Sequence, residues 1–114
     1  RIGNDAGYSM TTAVRNVMIG VSAGQNVTDG GDNVFIGYQA GYYNTATTTG
    51  DDNVYVGNFA KGSDPNEVKA IALGYNVQAQ GSNTFKVQCS SGQYNSNNSS
   101  HKVALVSRVE ERRE

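Results

Sequence analysis

A nine-residue pattern that returns every 17 to 20 residues constrains the fold of this 114-residue chain more than any other feature. The pattern is an asparagine, an aliphatic residue, a variable residue, a second aliphatic residue and a glycine, then a short stretch ending near an alanine. The central glycines are Gly3, Gly20, Gly37, Gly57 and Gly74, separated by 17, 17, 20 and 17 residues. Because so short a unit cannot enclose a hydrophobic core alone, the copies must stack on one another.

Stacked units of this length predict an all-β fold, a parallel β-roll or β-helix solenoid with 17-residue coils. Each unit supplies a β-branched stretch suited to a strand and a polar loop suited to turns. Coils would stack at about 4.8 Å, and the glycine would permit a tight corner. We expect Asn16, Asn33 and Asn53 to form a hydrogen-bonded ladder along the stack. The three extra residues before Gly57 should lie in the polar loop, where insertions cost little.

Alternation along each strand separates the two aliphatic positions from the variable position between them. In 34–36, Val34 and Ile36 share one face and Phe35 lies on the other. Since the aliphatic positions are the constant ones, we predict that they line the interior and that the variable position faces a partner or solvent. So thin a core favours a homo-oligomer. The predicted subunit-packing residues are the variable ones and the alanines that follow them, namely Met18, Phe35, Tyr55, Ala23, Ala40 and Ala60.

Composition argues against several classes of function. Nine basic and ten acidic residues give a net charge of -1, which provides no basic surface for nucleic acid. No apolar run approaches the roughly 18 residues of a membrane-spanning helix. A single histidine, His101, and a single cysteine, Cys89, disfavour a zinc site, an internal disulfide and triad catalysis. We therefore expect no enzyme activity, no cofactor, no metal site, no nucleic-acid partner and no membrane insertion.

Two acidic loops, at 29–32 and 51–52, are the only sequence features that suggest calcium. Each supplies only two carboxylates, and neither contains the glycine- and aspartate-rich repeat of calcium-binding β-rolls. Aspartate and glycine also favour turns on their own account. We interpret both loops as turns.

Tyrosines are concentrated beside the predicted coil edges. Tyr38 and Tyr75 occupy the same repeat position, so they should align along one edge. A tyrosine offers an apolar ring face and a polar hydroxyl, which suits a sugar surface, although the rings could equally stack on one another or across a subunit seam. The predicted receptor or glycan contacts are Tyr38, Tyr42, Tyr43, Tyr55 and Tyr75.

The units NVFIGYQAG at 33–41 and AIALGYNVQAQG at 70–81 resemble the head repeats of trimeric autotransporter (YadA-like) adhesins. They are also similar to related repeats in phage tail fibres and tailspikes. The resemblance covers residues 1–88, which we take as the β-roll repeat region, and it implies a homotrimer packed around a central axis. The period is longer than the usual adhesin repeat, and the long Asn/Thr/Gly loops are more similar to the phage-fibre version.

Beyond the repeats, residues 89–101 are predicted to be a polar linker or loop, and 102–114 a strand or short helix with a charged end. The resemblance implies a structural and receptor-binding segment of a trimeric phage fibre or tailspike. On the virion surface it would attach to host cell-surface polysaccharide or lipopolysaccharide. The alternative is the head domain of a bacterial trimeric surface adhesin that binds host matrix protein. A third interpretation is the stalk of a glycan-cleaving tailspike.

Overall fold

The computed structural model describes residues 1–42, 47–88 and 93–96, which form a β-solenoid. One six-stranded sheet runs along it in sequence order: β1 (Val17–Ile19), β2 (Val34–Ile36), β3 (Val54–Val56), β4 (Ile71–Leu73), β5 (Phe85–Gln88) and β6 (Gln93–Ser96). Strands β1 to β5 pair in parallel, and β6 pairs antiparallel to β5. The predicted all-β parallel solenoid is thus confirmed. Within the described residues no helix is long and apolar enough to cross a membrane.

Successive coils are stacked in the register of the sequence repeat. Val17 pairs with Val34, Val34 with Val54 and Val54 with Ile71. In the loops, the Thr11 N–H donates to the Thr28 carbonyl 17 residues on, whereas the Thr28 N–H donates to the Thr48 carbonyl 20 residues on. The three extra residues therefore precede Thr48, in the polar loop as predicted.

The middle residue of each strand points into the coil, so the predicted assignment of the two strand faces is wrong. Met18, Phe35 and Tyr55 are each 0 % exposed, and the alanines of the predicted subunit-packing set are buried as well. The six residues that we assigned to contacts between subunits therefore form the core of a single chain: Met18, Phe35, Tyr55, Ala23, Ala40 and Ala60.

The narrowness of the coil explains the inversion. Its interior holds one large side chain from the strand together with a small one that follows the corner, in a single buried cluster. In the fourth coil the strand contributes the small Ala72, and the position of the alanines is taken by the larger Val77. In this coil a smaller strand residue is thus offset by a larger residue after the corner, which keeps the interior filled. The outward positions stay apolar because each packs against an apolar neighbour in the next strand of the sheet.

An asparagine ladder closes the corner before each strand. Asn16 Oδ1 accepts from the Asn33 N–H at 2.8 Å, Asn33 Oδ1 from the Asn53 N–H at 2.9 Å, and Asn53 Oδ1 from the Ala70 N–H at 2.9 Å. Each amide nitrogen donates instead to a loop carbonyl of the following coil, that of Gly30, Gly50 or Glu67. The predicted ladder is present, but its rungs join side chains to backbone rather than one amide to another.

At the last coil that the structure describes, both the inward strand residue and the direction of strand pairing change. Lys86 is paired with Ala72 and takes the strand position that Met18, Phe35 and Tyr55 fill in earlier coils. A lysine there ends the apolar column, because its ammonium group requires water. Strand β6 then pairs along β5 and covers the edge at which a further coil would otherwise pair.

Several predictions concern residues that the structure does not describe. Tyr43, Cys89 and His101 lie outside the described residues, as do 102–114. Of the predicted linker at 89–101, only Gln93–Ser96 is described, and it is strand β6 rather than a linker. Polar residues are compatible with this strand because it needs only backbone pairing to β5.

Candidate functional site: the exposed surfaces of the solenoid

The outward side of strands β1 to β5 is an apolar surface, which we call the aliphatic face. Val17 is 44 % exposed, Ile19 is 36 % exposed, and the members in later strands are half-buried. No charged residue interrupts the face. It consists of Val17, Ile19, Val34, Ile36, Val54, Val56, Ile71, Leu73, Phe85 and Val87. An uncharged, partly exposed face of this kind is a candidate contact surface.

A second surface, the aromatic edge, consists of Tyr38, Phe59 and Tyr75 on three successive coils. The rings of Tyr38 and Phe59 meet edge to face at a centroid distance of 5.4 Å, and those of Phe59 and Tyr75 at 5.8 Å. Tyr38 and Tyr75 are exposed, and Phe59 between them is half-buried. The predicted alignment of Tyr38 and Tyr75 is thus present, with Phe59 inserted between the two rings.

Sequence reasoning missed Phe59 because it is displaced by one repeat position. Tyr38 and Tyr75 follow their corner glycine directly, whereas Phe59 is the second residue after Gly57. Position-by-position alignment therefore pairs the two tyrosines with Asn58. The signal that could have found Phe59 is an aromatic residue where the other coils carry polar ones.

The corner geometry explains how these side chains come to lie outside. Gly37, Gly57 and Gly74 have φ between 129° and 132°, a region that only glycine occupies readily. Two residues after each corner glycine the backbone is left-handed, with φ of 57° at Gln39, 64° at Phe59 and 56° at Asn76, among others. The chain thereby turns sharply, and it leaves both post-corner positions on the surface apart from the buried Ser22.

The backbone of the aromatic edge is cross-linked between coils. The Tyr38 N–H donates to Asn58 Oδ1 at 2.9 Å, and the Asn76 N–H to the Asn58 carbonyl at 2.8 Å. The buried Lys61 donates from Nζ to the Phe59 carbonyl at 3.2 Å and to Asn76 Oδ1 at 2.7 Å. Burial lowers the pKa of this lysine, and the nearby Lys86 lowers it further. These bonds hold the edge in one conformation.

Tyr55 and Tyr42 do not belong to this edge. Tyr55 lies inside the coil, stacked on Phe35 at 5.0 Å, and its hydroxyl donates to Glu67 Oε1 at 2.8 Å. Burial, together with the charge of Glu67, raises the pKa of the Tyr55 phenol. The prediction of Tyr55 as a receptor contact is therefore wrong, since the interior position needs a large ring. Tyr42 is half-buried beyond the corner that follows Ala40.

A ladder of charged side chains lies on the loop side of the coil, one on each of four successive coils. Each member directly precedes Asn16, Asn33, Asn53 or Ala70, and its backbone is left-handed, with φ near 60°. Arg15 forms a bidentate ion pair with Asp32 at 2.6 and 2.9 Å, and Lys69 lies 3.9 Å from Asp52. The hydrogen bond from Arg15 lowers the pKa of Asp32. These carboxylates are therefore engaged by cations of adjacent coils.

The remaining carboxylates of the two acidic loops accept hydrogen bonds from neighbouring coils. Asp29 Oδ1 accepts from the hydroxyls of Thr11 and Thr12, at 3.1 and 2.8 Å, and Asp51 Oδ1 from the Gly31 N–H at 2.6 Å. In the part of the chain that the structure describes, no group of three His, Cys, Asp or Glu residues is placed to hold a metal ion.

Comparison with known proteins adds no relative, since no family model, no curated protein and no solved structure matches this chain.

Proposed function

We propose that this chain is a structural and receptor-binding segment of a homotrimeric fibre, of the phage tail-fibre or tailspike kind, that attaches to host cell-surface glycan. The observation that carries the proposal is the aliphatic face, which supplies two apolar side chains from each of β1 to β5. Covering such a face with another apolar surface is favourable in water. A second copy of the same chain offers a surface of matching length and spacing.

Stacking in a single register suits the solenoid to a mechanical role. Every described coil is joined to the next by parallel strand pairing or loop hydrogen bonds, so the unit extends along one axis. Three parallel copies would present three identical aromatic edges, and weak sites repeated on one rod bind a repetitive receptor with avidity. The resemblance to phage-fibre repeats supports three copies and a place on the virion surface.

Oligomeric mass tests the role of the aliphatic face. Val17→Lys places a charge on the face at a residue that is 44 % exposed, so the fold should tolerate it. Val14→Lys makes the same change three residues earlier, at a residue that is 51 % exposed and lies off the face. We expect sedimentation equilibrium to give a trimer for the wild type and for Val14→Lys, and dissociation for Val17→Lys, because a buried charge without a partner is costly.

A monomeric wild type at micromolar concentration would overturn the fibre proposal. Dissociation of both variants alike would remove the aliphatic face as the contact surface. Binding of the trimer to immobilised matrix proteins, with none to cell-envelope glycans, would favour the bacterial adhesin head instead.

A further inference from the structure

We infer that the aromatic edge is a binding site for an uncharged polysaccharide whose chain lies along the solenoid axis, with sugar rings against Tyr38, Phe59 and Tyr75. The inference rests on the proposed function, because it names the surface that holds the glycan and the class of glycan that it takes. It also adds Phe59 to the contact residues.

No exposed charged side chain occupies the two post-corner positions of the three coils that form the edge, and this argues for a neutral ligand. In the four coils that follow Gly20, Gly37, Gly57 and Gly74, the two positions after the corner glycine carry only aromatic, amide, hydroxyl and aliphatic side chains: Val21, Ser22, Tyr38, Gln39, Asn58, Phe59, Tyr75 and Asn76. The first coil, after Gly3, carries Asn4 and the exposed Asp5, which would repel an anionic polymer rather than bind it. By contrast, the charge ladder formed by Arg15, Asp32, Asp52 and Lys69 is confined to another column of the coil. An anionic polymer would find no exposed cation among these eight positions. A neutral sugar finds ring faces and amides, the groups that recognise it best.

The ring geometry suits a chain-like ligand rather than a compact one. Three rings on successive coils lie edge to face at 5.4 and 5.8 Å, so they form a continuous apolar strip parallel to the axis. Gln39 Nε2 donates to the Tyr38 hydroxyl. The exposed side-chain amide of Asn58 accepts from the Tyr38 N–H through Oδ1, and this bond does not use the two N–H donors of its Nδ2. A polymer of repeating sugar rings is a ligand with a matching linear form.

Phe59 occupies a backbone conformation that its side chain disfavours. Its φ is 64°, in the left-handed region where Asn76 and Gln39 sit in neighbouring coils. Asparagine tolerates this region, whereas a bulky aromatic residue there is uncommon and strained. Phe59 is half-buried and is not a member of the buried core cluster. Backbone strain at a partly exposed aromatic residue is expected where the side chain serves binding.

The backbone of the edge is also cross-linked by hydrogen bonds before any ligand arrives. Lys61 Nζ joins the Phe59 carbonyl to Asn76, and Asn58 Oδ1 holds the Tyr38 N–H. A surface ordered in advance loses little conformational entropy on binding, so weak stacking contacts translate into affinity.

Calorimetric titration with three neutral hexose polymers, dextran, mannan and galactan, tests the inference on the assembled protein. Dextran sulfate serves as the charged comparison. We expect at least one neutral polymer to bind and dextran sulfate not to bind better. Tyr75→Ala, at a residue that is 69 % exposed, should weaken binding at least tenfold. Tyr8→Ala is the matched control, because Tyr8 is 71 % exposed and lies off the edge.

Phe59→Asn separates binding from structure. The variant places a residue that favours the left-handed conformation at this position, so we expect its melting temperature to stay near the wild-type value while binding falls at least tenfold. A ring that served only packing would instead lower the melting temperature and leave affinity unchanged, which would overturn the inference.

Other outcomes distinguish this inference from the proposed fibre. An oligomer that binds none of the three neutral polymers would overturn the polysaccharide site and leave the fibre intact. A monomer whose binding depends on Tyr75 would overturn the fibre and leave the site. If Tyr75→Ala lowered the oligomeric mass, the edge would be a subunit contact and the inference would fail.

Discussion

At the scale of single residues, the buried pair of Tyr55 and Glu67 is the least usual feature of the interior. Glu67 Oε1 accepts from the Tyr55 hydroxyl, and Oε2 accepts from the Ser63 hydroxyl at 2.6 Å. A carboxylate enclosed in this way needs each of its donors, because a lost donor leaves a buried acceptor without a partner. The pair also ties the loop of the third coil to the large ring of its strand.

This pair predicts a stability loss at alkaline pH. Because the pKa of Tyr55 is raised in the folded state, its contribution is complete below the ordinary phenol pKa of about 10 and falls as the pH rises beyond that value. We expect Tyr55→Phe to lower the free energy of unfolding by about 1.5–3 kcal/mol at neutral pH and to flatten its decline above pH 10.

Urea denaturation at several pH values measures this prediction. Tyr8→Phe, which removes a phenol from an exposed position, controls for the substitution itself. A Tyr55→Phe protein whose stability declines as steeply as that of the wild type above pH 10 would exclude Tyr55 as the source.

At the scale of the repeating element, the corner glycines decide whether the coils can stack. Gly37 and Gly81 share a φ of 131°, but they differ in surroundings. A Cβ at Gly37 would lie 2.6 Å from the carbonyl carbon and oxygen of Gly57, whereas a Cβ at Gly81 would meet nothing within 4 Å. The two glycines therefore separate the cost of backbone strain from the cost of a clash between coils.

We expect Gly81→Ala to cost about 1–3 kcal/mol of unfolding free energy, the strain of a side chain at this φ. Gly37→Ala should cost more than about 4 kcal/mol, because the Gly57 backbone must move as well. Thermal and chemical unfolding of the two variants gives the difference. Equal losses would mean that conformation alone, and not the approach of neighbouring coils, requires glycine at Gly37.

The element scale also shows what the sequence could and could not determine. The spacing of the glycines predicted the coil, its register and the site of the insertion, because each depends on counting residues along a periodic chain. Alternation also correctly separated Phe35 from Val34 and Ile36, but it could not say which set faces inward. That choice depends on the volume of the interior, where a large residue such as Phe35 is paired with a small one such as Ala40.

The candidate sites were predictable only in part, for the same reason. Tyr38 and Tyr75 were found because they share a repeat position. Phe59 was missed because the edge forms in space from two different columns. Tyr55 was misassigned because the inward direction of its strand position was unknown.

At the scale of the whole molecule, the solenoid separates its surfaces by chemistry. The aliphatic face, the uncharged aromatic edge and the charge ladder occupy different columns of the same coil. Because the coils stack in register, residues at one repeat position form a continuous surface along the rod, and the aromatic edge occupies the three coils that carry Tyr38, Phe59 and Tyr75. Association of copies through the aliphatic face would therefore leave the aromatic edge accessible to a different partner.

If the aliphatic face joins three copies, folding and assembly are coupled by mass action, so stability depends on protein concentration. We expect the melting temperature of the wild type to rise steadily between about 1 and 100 μM chain, since only the folded state associates. Val14→Lys should keep this dependence, and Val17→Lys should lose it while retaining the far-ultraviolet circular dichroism of the β-fold. Differential scanning calorimetry over the concentration series provides the measurement. A wild-type melting temperature that is the same at both ends of the series would show that the face is stable uncovered, and the solenoid would then act as a single chain.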